Sequence, residues 1–419
     1  MLSLVRLACA CSPAGFRCRR SIGIRSIHLL TNCRPPSESS ASEKDDPCWV
    51  LVDCRDCRRD DSLVPDAKTV AESRTSLGQH LRVSFGLALP PASSFLRYDF
   101  SANACNDKDD LINVVAAHGD SFLLWMKCEP KSKAMGSDHF IYRSGNEATA
   151  RPPSLSLIPP RNIPTRHDEG MDIRDPYCRP LFYHDTSVLR RGDEELLLAQ
   201  LEVMRGYSER RGMADLCVLR HSRDQWELKR SLPDLYLWEL KRSLRSVHDQ
   251  GDKVDQELDC WQGSIAIAVG DRYLCWVQSP IQLRLHHVAL GPAAVRFVAI
   301  EPRCCCGGFG RSVCERSRNA FTVTTWTVNL SMDEPMTWVK DGVMDCEELW
   351  AQPGYQGIPR VPVEHPVVSL DDPYVICFKV VEHRNAWMIQ VDMRRKELVS
   401  AVKCTTDPWK TYYYLPAKL

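Results

Sequence analysis

Short runs of β-branched and aromatic residues, each answered across a polar turn by a second run, recur through the chain. Leu216-Cys217-Val218-Leu219 is followed by the turn-like His221-Ser222-Arg223-Asp224, and Trp226 opens the next run. Phe321 to Val328 leads through Ser331–Pro335 to Met336-Thr337-Trp338-Val339. Tyr374–Val381 is answered by Trp387–Val391 across Glu382–Asn385, and Ser264–Val269 by Arg272–Val277 across Gly270-Asp271. Runs of this kind bounded by turn residues are hairpin signals. The expected fold is therefore mostly β: an irregular β-propeller-like array of short antiparallel hairpins. A pair of β-sandwich domains is the alternative. The uneven spacing excludes a clean sequence repeat. Helix signals are scarce, and Cys346–Ala351 reads as one short turn of helix ended by Pro353-Gly354. The 27 prolines fit many loops and short strands.

The first 48 residues are a different material. Met1 to Ser37 holds no Asp or Glu but six arginines, at positions 6, 17, 19, 20, 25 and 34, interleaved with Ile22, Ile24, Ile27, Leu29 and Leu30. This is the composition of an organellar presequence, with a disordered basic tail as the plain alternative. The expected address is mitochondrial; cytoplasmic or nuclear residence follows if the segment is only a tail. Arg6 interrupts the apolar run and Ser12-Pro13 ends it, so a secretory signal reads less well. Residues 49–419 form the expected β-rich domain, with a candidate internal boundary in the Pro- and charge-rich stretch 151–180.

Composition narrows the function classes. Lys+Arg and Asp+Glu both number 54, so there is no broad electrostatic footprint for nucleic acid or an anionic membrane. No stretch approaches the roughly 18 apolar residues needed to span a bilayer, and the domain reads as soluble. The 20 cysteines lack the regularity of a disulfide framework, and the consecutive Cys304, Cys305 and Cys306 are awkward to pair with one another. Mostly free, buried thiols in a reducing compartment are expected.

Each constellation that could carry chemistry has a plainer reading. Cys54-Arg55-Asp56-Cys57 has metal-ligand spacing, and Cys304, Cys305, Cys306 and Cys314 form a second cluster. The second cluster is not a C-x-x-C pair, so buried or incidental thiols are expected in place of zinc, with thiol redox chemistry the remaining option. Gly307-Gly308-Phe309-Gly310 lacks the following helix of a dinucleotide site and reads as a tight loop. Neither a G-x-S-x-G elbow, an H-E-x-x-H helix nor a G-x-x-x-x-G-K-[ST] loop occurs. His286 and His287 would face opposite sides of a strand. Asp371-Asp372 before Pro373 reads as a turn. Asn329-Leu330-Ser331 would be a glycosylation site only in a secreted chain. Trp238, Trp261, Trp276, Trp326, Trp338, Trp350 and Trp387 are expected to pack between sheets. No catalytic, cofactor-binding or metal-ligating residue is assigned, and no cofactor is expected.

One local duplication stands out: Trp226–Leu232 recurs word for word at Trp238–Leu244. The first copy is expected to form the strand after the turn. The second copy, with Leu237, Leu240, Leu244 and Val247 at helical spacing, is expected to be a short helix or a solvated loop.

Several segments carry a family resemblance. They are Gly270–Val277, Glu301–Gly308, Thr325-Trp326-Thr327, Met336–Gly342, Glu348-Leu349-Trp350, Pro373–Phe378 and Ala386–Met393, with Trp49–Asp53 similar to an opening strand. Taken in order over roughly Trp49 to Cys404, they resemble a grass-expanded plant family, domain of unknown function 1618. That family has no established activity or catalytic residues to carry over. Its members look like the β-propeller domains that accompany F-boxes, although no Leu-Pro-rich helical F-box precedes Trp49 here. The chain departs from the family pattern at Gln278–Leu290, which is short, as if a segment had been lost and the propeller left incomplete. The expectation is a non-enzymatic module with a protein partner. The alternative is an enzyme whose site is built from propeller loops.

Overall fold

The computed structural model describes residues 3–6, 49–63, 68–100, 111–128, 136–146, 149–161, 181–182, 184–192, 195–203, 214–220, 225–230, 236–239, 263–271, 273–278, 286–291, 294–303, 317, 319–329, 339–404 and 413–418. Strands dominate these residues. They form five sheets of four or five strands, arranged like propeller blades, and two two-stranded sheets, one of them a hairpin between the third sheet and the fourth.

Sheet 1 orders its strands Tyr414–Ala417, Val50–Arg59, Ser93–Phe100, His80–Gly86 and Ala71–Arg74. Sheets 2 to 5 are simple meanders. Sheet 2 is Ile112–His118, Ser121–Cys128, Gly136–Arg143 and Ser154–Leu157; sheet 3 is Thr186–Arg191, Glu195–Val203, Ala214–Arg220 and Gln225–Arg230. The hairpin is Gly263–Val269 with Tyr273–Gln278. Sheet 4 is His286–Gly291, Ala294–Pro302, Phe321–Asn329 and Val339–Asp345; sheet 5 is Val363–Val368, Val375–Glu382, Asn385–Asp392 and Glu397–Lys403. The first strand of each meander touches the first strand of the next, and Tyr414–Ala417 closes the ring between sheets 5 and 2. Closure is an antiparallel pairing of Val50–Asp53 with Tyr414–Ala417. Pro416 is tolerated there because the strand is at the sheet's edge.

Stacking sheets face to face requires each to bury both faces, so the period-2 alternation of a half-buried strand is lost. Leu196 and Leu198 pack toward Val115, Leu123 and Ile141 of sheet 2. Leu197 and Ala199, on the other face of the same strand, pack against Ala266, Ala268, Leu274 and Trp276 of the hairpin. Between sheets 1 and 2, Phe85, Phe122 and Tyr142 meet at ring-centroid distances of 4.7, 5.0 and 5.9 Å. Each fully buried side chain of this size contributes about 1.5–3 kcal/mol. Tyr142 keeps its hydroxyl bonded to the Thr69 carbonyl at 2.8 Å.

The short helix α1 (Cys346–Trp350) lies at the expected place. Asp345 caps it: its side chain accepts from the Glu347 N–H, and Glu348 reaches back to the Asp345 N–H. Three features extend or correct the expectation. Sheet 1 is not purely antiparallel, because Val50–Arg59 and Ser93–Phe100 run parallel. The strand answering Phe321–Asn329 is described from Val339 to Asp345, with Asp341 and Gly342 inside it, while residues 336–338 lie outside the described residues. Asp and Gly are poor strand formers, which hid the strand from pattern reading. The second copy of the duplication begins as strand, not helix: Tyr236–Glu239 pairs antiparallel with Ser3–Arg6. The rest of that copy lies outside the described residues, whereas the first copy forms the expected strand, with Trp226 opposite Leu219. The stretch 279–285, where the sequence suggested a lost segment, lies outside the described residues, and the second strand of the hairpin lies beside Ser3–Arg6. No helix among the described residues is long and apolar enough to cross a membrane.

Candidate functional site

The first strands of successive sheets run in the same sense. Where they end, the Arg190 N–H donates to His118 Nδ1 at 2.9 Å, Arg191 Nε to the Asp271 carbonyl at 3.2 Å, and the Lys418 N–H to the Gly119 carbonyl at 3.0 Å. Their starts, near Ile112, Thr186 and Tyr414, therefore gather at the opposite end of the ring.

At that opposite end, Leu181, Phe182 and residues 184–186 are pinned. The Leu181 N–H donates to His139 Nε2 at 3.1 Å, and Leu181 itself is buried. The Asp185 and Thr186 N–H groups both donate to the Phe182 carbonyl, at 3.2 and 2.9 Å. Asp185 Oδ1 accepts from the Phe182 N–H at 3.3 Å and from the Thr186 hydroxyl at 2.7 Å, while Oδ2 accepts from Gln200 Nε2 at 3.3 Å. The Asp185 carbonyl accepts from Trp276 Nε1 at 2.7 Å and the Leu201 N–H at 2.9 Å, tying sheet 3 to the hairpin.

Burial raises the Asp185 carboxyl above its ordinary pKa, against the Thr186 hydrogen bond, the charge of His184 and the Gln200 hydrogen bond, which all pull it down. Beside it, Phe182 is 45% exposed yet stacked on the His184 ring, with centroids 5.3 Å apart and planes 11° from parallel. A fixed, exposed aromatic beside a buried acid is an arrangement suited to recognition or to proton chemistry.

The other end of the ring carries charge. Asp120 accepts from Arg143 Nε at 3.1 Å and Arg151 at 2.5 Å, with Arg190 Nε 3.4 Å away. Burial lowers His118 to a pKa of about 4 although Asp271 and Asp120 pull it up.

The residues singled out from sequence scatter over the ring. Cys54 is buried and Cys57 partly exposed, neither in a disulfide, and the described residues contain no group of three or more potential metal ligands. Cys304, Cys305, Cys306, Cys314 and Gly307–Gly310 lie outside the described residues, as do Trp261, Trp338, Leu330 and Ser331. His286 and His287 fall on the first strand of sheet 4. Asp371 and Asp372 form the expected turn, with Asp372 Oδ1 accepting from the Tyr374 N–H at 2.9 Å. Trp276 is fully buried, Trp326 packs on Phe297 and Trp350 on Phe321, as expected of core tryptophans. Trp387 packs against the core of sheets 4 and 5. Sequence reasoning missed Phe182, His184 and Asp185. Their only signal is an aromatic-His-Asp cluster just before a strand.

The ring of stacked sheets with loop-borne side chains at its two ends defines the class: a β-propeller-like module. Within it, residues 259–377, from the hairpin to sheet 5, match the family model described as Protein of unknown function (DUF1618). No curated protein matches. Among solved structures the chain is similar to a xylan beta-1,4-xylosidase from Bacillus Halodurans C-125. Identity is 8% over 82% of this chain and 54% of that one, with a TM-score of 0.23. The chain thus spans about half the length of that enzyme.

Proposed function

We propose that the chain is a non-enzymatic protein-interaction module that engages its partner at the end of the ring where Phe182 stands. The observation that supports this reading is Phe182 itself: 45% exposed, stacked on His184, and held by two backbone hydrogen bonds to its carbonyl. An aromatic that is ordered before binding loses little further conformational freedom on contact, which is what makes such residues interface anchors. A partner cation placed against Asp185 would offset the cost of ionising that carboxyl. Membership of the grass-expanded plant family belongs to the same proposal.

The test is proximity labelling in native tissue with wild-type protein and Phe182→Ser, each checked by thermal melt. The reading expects a set of labelled proteins that the variant loses while still folding cooperatively. An unchanged set would overturn it. A second reading, an enzyme using a loop-built site, draws on the raised pKa of Asp185. It expects Asp185→Asn to abolish turnover while leaving the labelled set intact.

The acid-free, Arg-rich start supports a further part of the proposal, import into mitochondria with removal of residues before about Cys48. A fluorescent protein fused after Pro47 should mark mitochondria; a diffuse cytosolic or nuclear signal would overturn the assignment.

A further inference from the structure

Val50–Arg59 does not run straight beside Ser93–Phe100. Val52 lies opposite Ser94 and Cys57 opposite Leu96, so five steps along one strand match two along the other. Two extended residues cover about 6.6 Å, whereas five would cover about 16 Å. Residues 53–56 therefore form a bulge in the strand. Asp53 fixes it: its Oδ1 accepts from both the Arg55 and the Asp56 N–H at 3.1 Å. In a straight strand the cysteines would stand about 10 Å apart, beyond the reach of a disulfide. The bulge shortens that separation: Cys57 packs on the core cluster that contains Cys54, and the two thiols interact electrostatically. Cys57 is partly exposed and Cys54 is buried.

We propose that Cys54 and Cys57 are a dithiol that closes into a disulfide on contact with a low-molecular-weight disulfide, locking the seam of the ring. The Cys57 thiolate attacks one sulfur of oxidised glutathione, forming a mixed disulfide and releasing one glutathione thiolate. Cys54 then loses its proton and attacks the Cys57 sulfur, releasing the second glutathione. Two protein thiols are oxidised and one glutathione disulfide is reduced to two thiols. Burial holds the Cys54 thiol above its ordinary pKa, so the first attack falls to the more exposed Cys57. The seam is affected because Val50–Asp53, which closes the ring against Tyr414–Ala417, runs straight into Cys54, whose N–H meets the Tyr413 carbonyl at 3.5 Å.

The test uses the full chain, reduced and then exchanged into oxidised glutathione, alkylated and digested with trypsin, which cuts after Arg55 between the two cysteines. The proposal expects the fragments on either side of that cut to stay joined and unalkylated, and to separate after reduction. In Cys54→Ser, Cys57 should retain a bound glutathione, because nothing displaces it. A thermal melt of the oxidised wild type should rise by a few degrees over the reduced form, a gain absent in Cys57→Ser. Recovery of both cysteines alkylated after exchange would overturn the proposal. So would a stable glutathione on Cys57 of the wild type, or pairing of either cysteine elsewhere.

Discussion

The backbone N–H of Arg190 donates to Nδ1 of His118 across 2.9 Å, joining the first strands of two neighbouring sheets. A protonated imidazole could not accept that bond. His139, whose Nε2 accepts from the Leu181 N–H, is in the same position. Burial lowers both from 6.5 to about 4. Between those values the unfolded chain binds more protons than the folded one, so stability falls as pH falls. The full contribution is present above pH 6.5 and is lost by about pH 4. Asp185 acts with the opposite sign, since its raised pKa favours the folded state as pH drops. The expected outcome is a urea midpoint clearly lower at pH 5 than at pH 7. His139→Gln, whose amide oxygen can still accept from Leu181, should flatten that dependence.

Arg296, 6% exposed, holds sheet 4 to sheet 5. It pairs with Asp341 at 2.6 Å, donates to Thr327 Oγ1 at 3.1 Å, and donates to the Pro373 carbonyl. Its guanidinium also lies 4.5 Å from the Tyr374 ring centre. Arg296→Ala should cost about 3 kcal/mol, because Asp341 is left as a poorly compensated charge. Arg296→Lys should recover only part of this, since an ammonium cannot reproduce the fork. Denaturant titration of the three proteins decides it.

Gly86 has no room for a side chain. A Cβ there would lie 2.5 Å from the Phe95 ring, over which the Arg58 guanidinium lies at 3.7 Å. Gly86→Ala should destabilise by about 1–3 kcal/mol. Adding Phe95→Leu should relieve part of that cost, so the two changes should be measurably non-additive in a double-mutant cycle.

Deleting Trp226 to Leu237 brings Trp238–Leu244 directly behind the turn. The offset of 12 residues is even, so every side chain keeps its face. The expected outcome is a cooperative melt close to that of the full chain, since a shorter loop changes closure entropy by only about 0.6 kcal/mol per halving. A loss of cooperativity would show that the pairing of Tyr236–Glu239 with Ser3–Arg6 is needed.

The hairpins were legible because their two strands lie next to each other in sequence with a turn between them, as with Val375–Glu382 and Asn385–Asp392. Pairings between distant segments leave no such mark. Nothing around Val50–Arg59 indicates a parallel neighbour 40 residues on, nor a partner at Tyr414–Ala417. The site was hidden for the same reason. Asp185 owes its raised pKa to burial, and the groups that surround it include Gln200 and Trp276, which lie on other strands. At Cys54 and Cys57 the spacing was plain, but the strand-like composition concealed the bulge that Asp53 fixes.

The seam between Val50–Asp53 and Tyr414–Ala417 also sets the timing of folding during synthesis. The opening strand emerges from the ribosome long before its partner has been translated. Until then the growing chain is an open fan with an exposed strand edge, the kind of surface that recruits chaperones or pairs with a neighbouring chain. A stop codon just before Tyr414 would remove only a few residues, yet leave that edge exposed for the lifetime of the molecule.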